Sequence, residues 1–282
     1  MSTPDFSNQF DAVVDSSLEW LSDNGEFLFD GINAMLTGLY EGVLWCLAYP
    51  PYYLVALAIA LIGWRVVGVR FAILTGLALV FCDIIGLWPE TVSTLALVLT
   101  ATVLALVVAI PLGVLAGLAP SVDRVVDPVL DLIQTMPPYI YLLPAIALLG
   151  YGPATALLAT FIVAVPPAIR LTSLGIRMTP KHFIELGDAS GVTNWQMFFK
   201  IRLPFAKPSI MAGVNQSLMM AFGMVVIAGI VGSGGLGESI YAAVRTLDIA
   251  KSINAAIAIV ILTMILDRLA QHAARSRTGE SQ

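Results

Sequence analysis

Charge is scarce in this chain. Only 12% of its 282 residues are Asp, Glu, Lys or Arg, whereas a soluble domain carries about 25%. Hydrophobic residues make up 58% of the sequence, and the mean hydropathy is +0.88. Long apolar runs of this kind are typical of membrane helices. The composition excludes an ordinary soluble domain and predicts an all-α membrane protein.

Residues that commonly build metal and catalytic sites are also few. The chain has two cysteines, Cys46 and Cys82, and two histidines, His182 and His272. Both cysteines lie in apolar stretches, so we expect small buried side chains and neither a disulfide nor a metal ligand. No combination of nucleophile, base and acid stands out. The sequence therefore predicts no catalytic residue and no metal site.

The phosphate-binding pattern G-x-x-x-x-G-K-[ST] is absent from the sequence. A glycine run at 232–237 has no lysine after it and is only a weak signal for phosphate binding. We therefore expect that this chain has no ATPase site and no cofactor of its own. Any active transport through it must take its energy from a partner.

The first 30 residues contain no Lys or Arg, and this excludes the basic region of a signal peptide. Apolar residues at helical spacing predict an amphipathic helix on the membrane surface within 1–30, with a loosely ordered acidic tail as the alternative. We expect an interfacial or re-entrant segment at 32–48. Residues 1–50 are interpreted as one N-terminal unit.

Seven apolar segments follow, and they predict about seven transmembrane helices. The spans are expected at 52–64, 71–88, 91–119, 125–150, 154–174, 208–231 and 253–270. Prolines break the fourth span, and irregular backbone is tolerated in a membrane only beside protein or water. We therefore expect the substrate path there, and we expect a polar external loop at 238–251.

The charged stretch 181–204, KHFIELGDASGVTNWQMFFKIRLP, interrupts the apolar second half of the chain. An unpaired charge at the bilayer centre costs at least about 2.5–3.5 kcal/mol, so this stretch must be an aqueous loop. Two short helices are predicted in it. Thr179 is expected to cap the first, with Pro180 at the first helical position, and Gly191 is expected to end it in a left-handed turn.

The second predicted helix of the loop opens with Thr193 and Gln196. Their spacing of three residues is typical of a capping box, in which each residue bonds to the other's backbone. Pro204 is expected to mark the limit of this helix, because proline lacks the backbone N–H group.

The spacing within this loop resembles the cytoplasmic coupling loop of ABC importer permeases. That motif reads Glu-Ala-Ala, three residues, Gly, nine residues, Ile-x-Leu-Pro, and Glu185, Gly191 and Ile201-Arg202-Leu203-Pro204 fall in register with it. The two alanines are replaced by Leu186 and Gly187. The following KPSIMAGVNQSLMMAFGMVVIAGIVGSGGLGESI is similar to the subfamily that imports glycine betaine, proline betaine and choline-type osmolytes. The resemblance covers about 91–271.

The resemblance implies the type I ABC importer architecture in a bacterial inner membrane. It implies three protein partners: a cytoplasmic ATPase that binds ATP and Mg, a periplasmic substrate-binding protein and a second copy of the chain. We expect no nucleic acid partner. By the same resemblance, the residues that couple to the ATPase are Glu185, Gly187, Asp188, Gly191, Ile201, Leu203 and Pro204. The chain divides into 1–50, accessory helices at 51–90, a permease core at 91–271 and a cytoplasmic tail at 272–282.

Aromatic side chains are the natural partners of a quaternary ammonium ion, because the ring face attracts a cation. Tyr139, Tyr141 and Tyr151 flank the broken fourth span and are candidates for the substrate path, with interface anchoring and core packing as the alternative. Asp131 is a further candidate. Asp131 and Arg170 either mark the path or pair with each other.

Basic residues predict the orientation of the chain in the membrane. Of the 14 Lys and Arg residues, only Arg245 and Lys251 fall outside the predicted cytoplasmic side. Seven crossings with 181–204 in the cytoplasm put the N-terminus outside and the C-terminus inside. This arrangement follows from the charges without the family resemblance.

Three other functions stay open at this point. A permease for amino acids or another small solute would use the same architecture. An ion-coupled secondary transporter would need ionisable residues within the membrane, and the spans have few beyond Asp83 and Asp131. A structural membrane anchor would not need the proline-rich fourth span.

Overall fold

The computed structural model of the chain describes residues 6–275, which form helices joined by short turns and contain no strand. The α-helices are α1 Phe6–Ala48, α2 Tyr52–Val66, α3 Val69–Ile84, α4 Trp88–Leu118, α5 Pro120–Thr135, α6 Leu142–Leu149, α7 Pro153–Arg177, α8 Lys181–Ala189, α9 Asn194–Gln196, α10 Leu203–Ala228, α11 Gly235–Thr246 and α12 Ile249–Arg275. Two 3₁₀ turns, Pro138–Tyr141 and Gly229–Val231, and a π-helical stretch, Met197–Arg202, complete the chain. The predicted all-α class is confirmed. The predicted tail at 272–282 lies largely outside the described residues.

The centre of the protein is a bundle of α4, α7 and α10, held together by close backbone contact. Gly113 of α4 lies so near α7 that a Cβ atom on it would be 2.6 Å from the Cβ of Thr172. Ser217 of α10 donates a hydrogen bond to the Ala164 carbonyl of α7 at 2.6 Å. Small residues allow membrane helices to approach this closely, and the attraction is then van der Waals packing. These three helices form one tightly packed body.

The two ends of this bundle are distinct. α7 ends at Arg177 and α10 begins at Leu203, so residues 181–204 lie between them at one end, here termed the loop end. The opposite end, where α4 and α7 begin and α6 stops, is termed the far end.

Fewer helices than expected are long enough to cross a membrane. Within residues 6–275, four helices are long and apolar enough, or six if each of two bent pairs is counted as one span. The prediction of seven spans is therefore too high. α2 and α3 have only 15 and 16 residues, whereas a bilayer of about 30 Å needs about 20 helical residues. They form a short helical hairpin beside the core.

The N-terminal region is one continuous helix and not the two separate segments that were predicted. α1 has 43 residues and stops only where Pro50-Pro51 prevents its continuation. The stretch Asn24–Ala48 makes an angle of 96° with α2. Leu36 and Tyr40 are buried on one face of α1. The loosely ordered tail is therefore wrong for residues 6–30.

Two long-range hydrogen bonds fix α1 at the far end of the bundle. The Asn33 side chain donates to the Leu149 carbonyl at the end of α6, at 2.7 Å. The hydroxyl of Tyr40 shares a hydrogen bond of 2.5 Å with that of Ser93, near the start of α4. Asn33 is a polar residue in an apolar stretch, and its bond explains how it is accommodated there.

Two boundaries differ from the prediction. Trp88 opens α4 and does not close the second span, because Pro89 stands in the first helical turn, where a missing N–H costs nothing. The polar stretch after the glycine run is a helix, α11, and not an external loop. The Glu238 carboxylate accepts a hydrogen bond from the Gly234 amide at 2.8 Å and so satisfies the start of that helix.

The two cysteines also have different environments. Cys82 is buried, as expected, but Cys46 is exposed on α1, and neither forms a disulfide. The expectation of burial is wrong for Cys46, because its neighbours Val43, Leu44 and Leu47 pack against the core whereas Cys46 itself lies on the exposed face of α1.

Candidate functional site: the charged loop and the broken helix

The first helix of the charged loop is α8. Its N-cap is Pro180, in an extended conformation and without a side-chain cap, so the predicted capping by Thr179 is wrong. Thr179 is buried, and its hydroxyl donates to the Ile176 carbonyl at 2.9 Å. Thr179 therefore satisfies the end of α7 and not the beginning of α8.

Gly191 ends the first helix as predicted. Its φ angle is +66°, in the left-handed region that glycine adopts without strain. The amide of Val192 then donates back to the Gly187 carbonyl at 3.2 Å. A left-handed residue followed by a bond of this kind is a common way to reverse the chain after a helix.

The predicted capping box of the second helix is confirmed. The Gln196 amide donates to the Thr193 hydroxyl at 3.3 Å, and the Thr193 amide donates to the Gln196 side-chain carbonyl at 3.0 Å. The helix begins at Asn194, directly after Thr193.

Pro204 does not end this helix, contrary to the prediction. The helical path continues from Asn194 to Val231, so the loop merges directly into α10. A π-helical stretch precedes Pro204, and in it the Leu203 amide bonds to the Phe198 carbonyl five residues back. The wider turn alters the bonding register just where Pro204 has no amide to donate.

Gly187 is the contact point between the two helices of the loop. It is buried, and a Cβ atom on it would lie 2.7 Å from the Met197 terminal methyl and 2.9 Å from the Ile201 Cδ1. This explains physically why a small residue stands here. Leu186, which replaces the first alanine of the motif, avoids a clash because it faces solvent and is 63% exposed.

One face of α8 is exposed to solvent. Phe183 and Leu186 are exposed on it, and Glu185 is exposed beside them. The ion pairs found among residues 6–275 do not include Glu185, so it is not held by Lys181 as a simple helix pair would be. The Phe183 ring packs against Phe205 with centroids 4.9 Å apart, which joins α8 to the start of α10.

Of the other predicted coupling residues, Asp188 is exposed, and its carbonyl accepts a bond from the Gly191 amide at 3.1 Å. Leu203 packs against the cluster of Ile176, Ala206 and Ile210 at the loop end. Pro204 is exposed. The loop therefore presents an apolar and acidic outer face and anchors its inner face on α7 and α10.

The predicted broken span is confirmed as two helices. α5 and the following segment Pro138–Leu149 make an angle of 104°, with the break at Pro137-Pro138. Proline fixes the residue before it in an extended conformation, and Met136 is extended here.

Ion pairs hold α5 against α7. Arg177 pairs with Asp123 near the loop end. Arg170 pairs with Asp131 one to two helical turns further from that end. The Asp127 carboxylate is 3.8 Å from the Arg170 Nε. Asp131 and Arg170 therefore pair with each other, which was one of the two alternatives from the sequence.

These groups line a groove of about 330 Å³ between α5 and α7. Three carboxylates and two guanidinium groups face it, so it carries an excess of negative charge. Asp131 remains 68% exposed despite its ion pair. Asp123, Asp127 and Arg177 were not singled out from the sequence. The sequence signal that could have found them is their spacing. The acids stand at every fourth position of α5, and the arginines stand seven residues apart on α7, so each set lies on one helix face.

The three candidate tyrosines have different environments. The Tyr141 hydroxyl donates to the Ile133 carbonyl at 2.7 Å, so this side chain braces the break after α5. Tyr139 and Tyr151 are 57% and 77% exposed. The ring contacts recorded within the described part of the chain join none of the three. Core packing is thus the better interpretation for Tyr141 alone.

Comparison with known proteins identifies relatives of this chain. A family model described as "Binding-protein-dependent transport system inner membrane component" matches residues 109–279. The glycine betaine transport system permease protein OpuAB of Bacillus subtilis is 40% identical over 92% of this chain and 92% of its own length. The glycine betaine/proline betaine permease ProW of Escherichia coli is 38% identical over 94% of this chain and 75% of its own length.

A more distant relative and a solved structure complete the comparison. The trimethylamine N-oxide permease TmoV of Pelagibacter ubique is 34% identical over 86% of this chain and 36% of its own length. An inward-facing structure of the MetNI methionine ABC transporter superposes with a TM-score of 0.62 at 22% identity, covering 67% of this chain and 95% of that one. This last likeness concerns the fold alone.

Proposed function

We propose that this chain, which belongs to the family of binding-protein-dependent transport system inner membrane components, couples ATP hydrolysis by a partner to import through the loop at 181–204. It is a membrane-embedded ABC importer permease of the osmolyte type. The exposed face of α8 is the observation that supports this use of the loop.

The structure offers a direct mechanical connection from this face to the core. The inner side of α8 is fixed through Gly187 on Met197 and Ile201, and the π-helical stretch runs without a break into α10. On its other side, α8 follows α7 after three residues. A displacement of α8 would therefore move α7 and α10 together, and rigid-body movement of this kind is a common basis of switching.

The proposed partners follow from what the chain does not supply. Its sequence has no nucleotide-binding pattern, so ATP and Mg are bound by a separate cytoplasmic ATPase that contacts Phe183, Glu185 and Leu186. A periplasmic binding protein delivers the solute. A second copy of the chain completes the translocation path. Nucleic acid plays no part.

The proposed cargo is a quaternary ammonium or methylated amine solute, such as glycine betaine, proline betaine, choline or trimethylamine N-oxide. The names of the relatives support this class. The acidic excess of the groove between α5 and α7 suits the cationic end of such a solute, and the exposed Tyr139 and Tyr151 suit it through cation–π attraction.

The proposed orientation places the loop end in the cytoplasm of a bacterial cell and the far end at the periplasm. The distribution of basic residues supports it. α1 contacts the far end, so the N-terminal side lies outside, and α12 leads towards the loop end, so the C-terminal side lies inside.

The coupling role is tested with Glu185→Ala in the assembled transporter. We expect at least about a tenfold loss of ATP-driven uptake with normal insertion, because a charge-assisted contact is worth roughly 1.5–3 kcal/mol. Uptake of radiolabelled glycine betaine and ATP hydrolysis are measured together in proteoliposomes. Glu41→Ala, an exposed acid on α1, is the matched control. Wild-type uptake in Glu185→Ala would refute the role of this residue.

The cargo is tested separately with the purified binding protein. Capture of a methylated amine in preference to an amino acid is expected, and the opposite preference would favour an amino-acid permease. Uptake that continues without any ATPase subunit would favour an ion-coupled transporter. Asp131 is a weak candidate for ion coupling, because it is already paired with Arg170.

A further inference from the structure

A cleft of about 270 Å³ separates the α2–α3 hairpin from α12. It is lined by Phe71, Leu74, Thr75, Ala78, Ile261, Met264, Ile265 and Arg268. Six of these eight side chains are apolar, and the two polar ones are Thr75 and Arg268. The cleft lies on the outside of the bundle, away from the charged loop and from the groove between α5 and α7.

Thr75 is an unexpected residue in this cleft. It is only 2% exposed, yet within residues 6–275 its hydroxyl has no hydrogen-bond partner. Threonine in a helix usually bonds to the carbonyl four residues back, as Thr100 does with Ala96 at 2.7 Å. A buried hydroxyl without a partner is costly, so an acceptor or donor from a bound molecule would satisfy it.

Arg268 supplies a positive charge at the mouth of the cleft. It is exposed, and the ion pairs recorded among the described residues do not include it. Arg70 directly precedes Phe71 in α3, and Arg65 lies at the end of α2, so the same end of the hairpin carries two more exposed arginines. A group that binds here should be anionic.

The two walls of the cleft are antiparallel helices that run from its mouth into the membrane. α3 runs away from the loop end, from Phe71 to Ala78, and α12 runs towards it, from Ile261 to Arg268. The charged mouth is therefore followed, about one helical turn or 5.4 Å deeper, by the Thr75 hydroxyl, and then by an apolar pocket. A charge, then a polar group, then a hydrocarbon chain is the order of groups in a phospholipid.

We propose that this cleft binds one anionic phospholipid from the leaflet on the loop side. The phosphate lies at Arg268, an ester carbonyl of the lipid accepts a hydrogen bond from the Thr75 hydroxyl, and the acyl chain fills the cleft between Leu74, Ala78 and Met264. Basic pockets between membrane helices on the cytoplasmic side recognise anionic headgroups in this way. The lipid thus joins the accessory hairpin to α12.

The test is native mass spectrometry of the purified full-length chain with two lipids of identical acyl chains, phosphatidylglycerol and phosphatidylcholine. We expect one tightly held phosphatidylglycerol, preferred by about fivefold, the factor that corresponds to roughly 1 kcal/mol for one basic residue at a membrane surface. Arg268→Gln weakens this preference, and Arg268→Lys keeps it. Arg124→Gln, which removes an exposed arginine of α5 outside the cleft, leaves it unchanged.

Two further variants distinguish a built site from general lipid adhesion. Thr75→Val keeps the size of the side chain and removes the hydroxyl, so we expect weaker retention of both lipids with the headgroup preference intact. Ala78→Leu fills the cleft, and we expect loss of both. Thermal unfolding of each variant in detergent checks that it is folded.

Several results would overturn the proposal. Equal retention of the two lipids by the wild type would indicate annular lipid only. An unchanged preference in Arg268→Gln, or unchanged retention in Thr75→Val, would remove the two assigned contacts. Capture of a second copy by a photoreactive residue at position 74, with no lipid adduct, would show that protein fills the cleft. The measurement needs neither ATPase nor solute, so its outcome is independent of the proposed transport function.

Discussion

The charged loop and the broken helix pair both interrupt an apolar sequence, but different contacts hold them in shape. In the loop, the decisive contacts are local, such as the left-handed Gly191 and the bonds between Thr193 and Gln196. In the broken pair, Asp123 is held by Arg177, 54 residues further along the chain, and Asp131 by Arg170, 39 residues further along.

This difference indicates different mechanical roles. Local contacts travel with the segment, so the loop keeps its shape while the helices around it move. The ion pairs of α5 persist only while α5 and α7 stay together. We infer that the loop serves as a rigid handle and that the contact between α5 and α7 is where the path rearranges. The following experiments test this comparison.

Gly191→Pro should have the largest effect. Proline fixes φ near −65°, whereas Gly191 has φ +66°, so the chain reversal after α8 cannot form. The strain is about 3 kcal/mol, roughly a hundredfold in the population of the native loop, and we expect ATP-driven uptake to fall by a similar factor. Uptake and membrane insertion are both measured.

Gly191→Asn is the matched control for this change. Asparagine tolerates the left-handed conformation better than other side chains, so it should keep most of the uptake. Equal loss in both variants would show that the glycine acts through its lack of a side chain and not through its backbone angle.

Breaking the ion pair of α5 should have a smaller effect. Asp123→Arg or Arg177→Asp each removes a partly exposed pair and adds a like-charge contact, and an exposed pair is worth at most about 1 kcal/mol. We therefore expect about a fivefold loss of uptake in each single variant. The double variant Asp123→Arg with Arg177→Asp restores the pair and most of the uptake.

The exchange of charges is the informative part of that experiment. Losses that add up in the double variant would show that the two residues act separately, for example on the solute, and would contradict the link between α5 and α7. Ser173 also donates to Asp123 at 3.3 Å, so complete restoration is not expected.

The parts of the site that the sequence predicts are those that local chemistry determines. Gly191, the capping box of Thr193 and the break in the proline-rich fourth span each depend on residues a few positions apart, and the structure confirms all three, with the break at Pro137-Pro138. The capping of α8 by Thr179 failed because a second local partner, the end of α7, competed for the same hydroxyl. The expected helix end at Pro204 is wrong because the π-helical stretch before it lets the helical path continue.

The parts that the sequence did not predict depend on distant residues. The sequence predicts two segments in place of α1 because 1–30 is acidic and 32–48 is apolar, and only Leu149, 116 residues away, shows how Asn33 is satisfied within one helix. The polar residues within 238–251 predict a loop in place of α11, because the contacts that bury this helix are made with distant residues. Gly237 lies so close to α10 that a Cβ atom would be 2.1 Å from the Val225 carbonyl oxygen.

Thr193→Ala should have the smallest effect. It tests how much the local capping bonds contribute to the shape of the loop. Loss of an N-cap side chain costs about 1 kcal/mol, and only one of the two capping bonds, that from the Gln196 amide, is removed directly. Hydrogen exchange at the Gln196 amide should rise about fivefold, whereas uptake should change by less than about twofold, because Gly187 and Gly191 still hold the hairpin. Thr193→Ser retains the hydroxyl and should leave exchange unchanged. A loss of uptake as large as that in Gly191→Pro would mean that the start of the second helix itself moves during transport, and the loop could then no longer be regarded as a rigid handle.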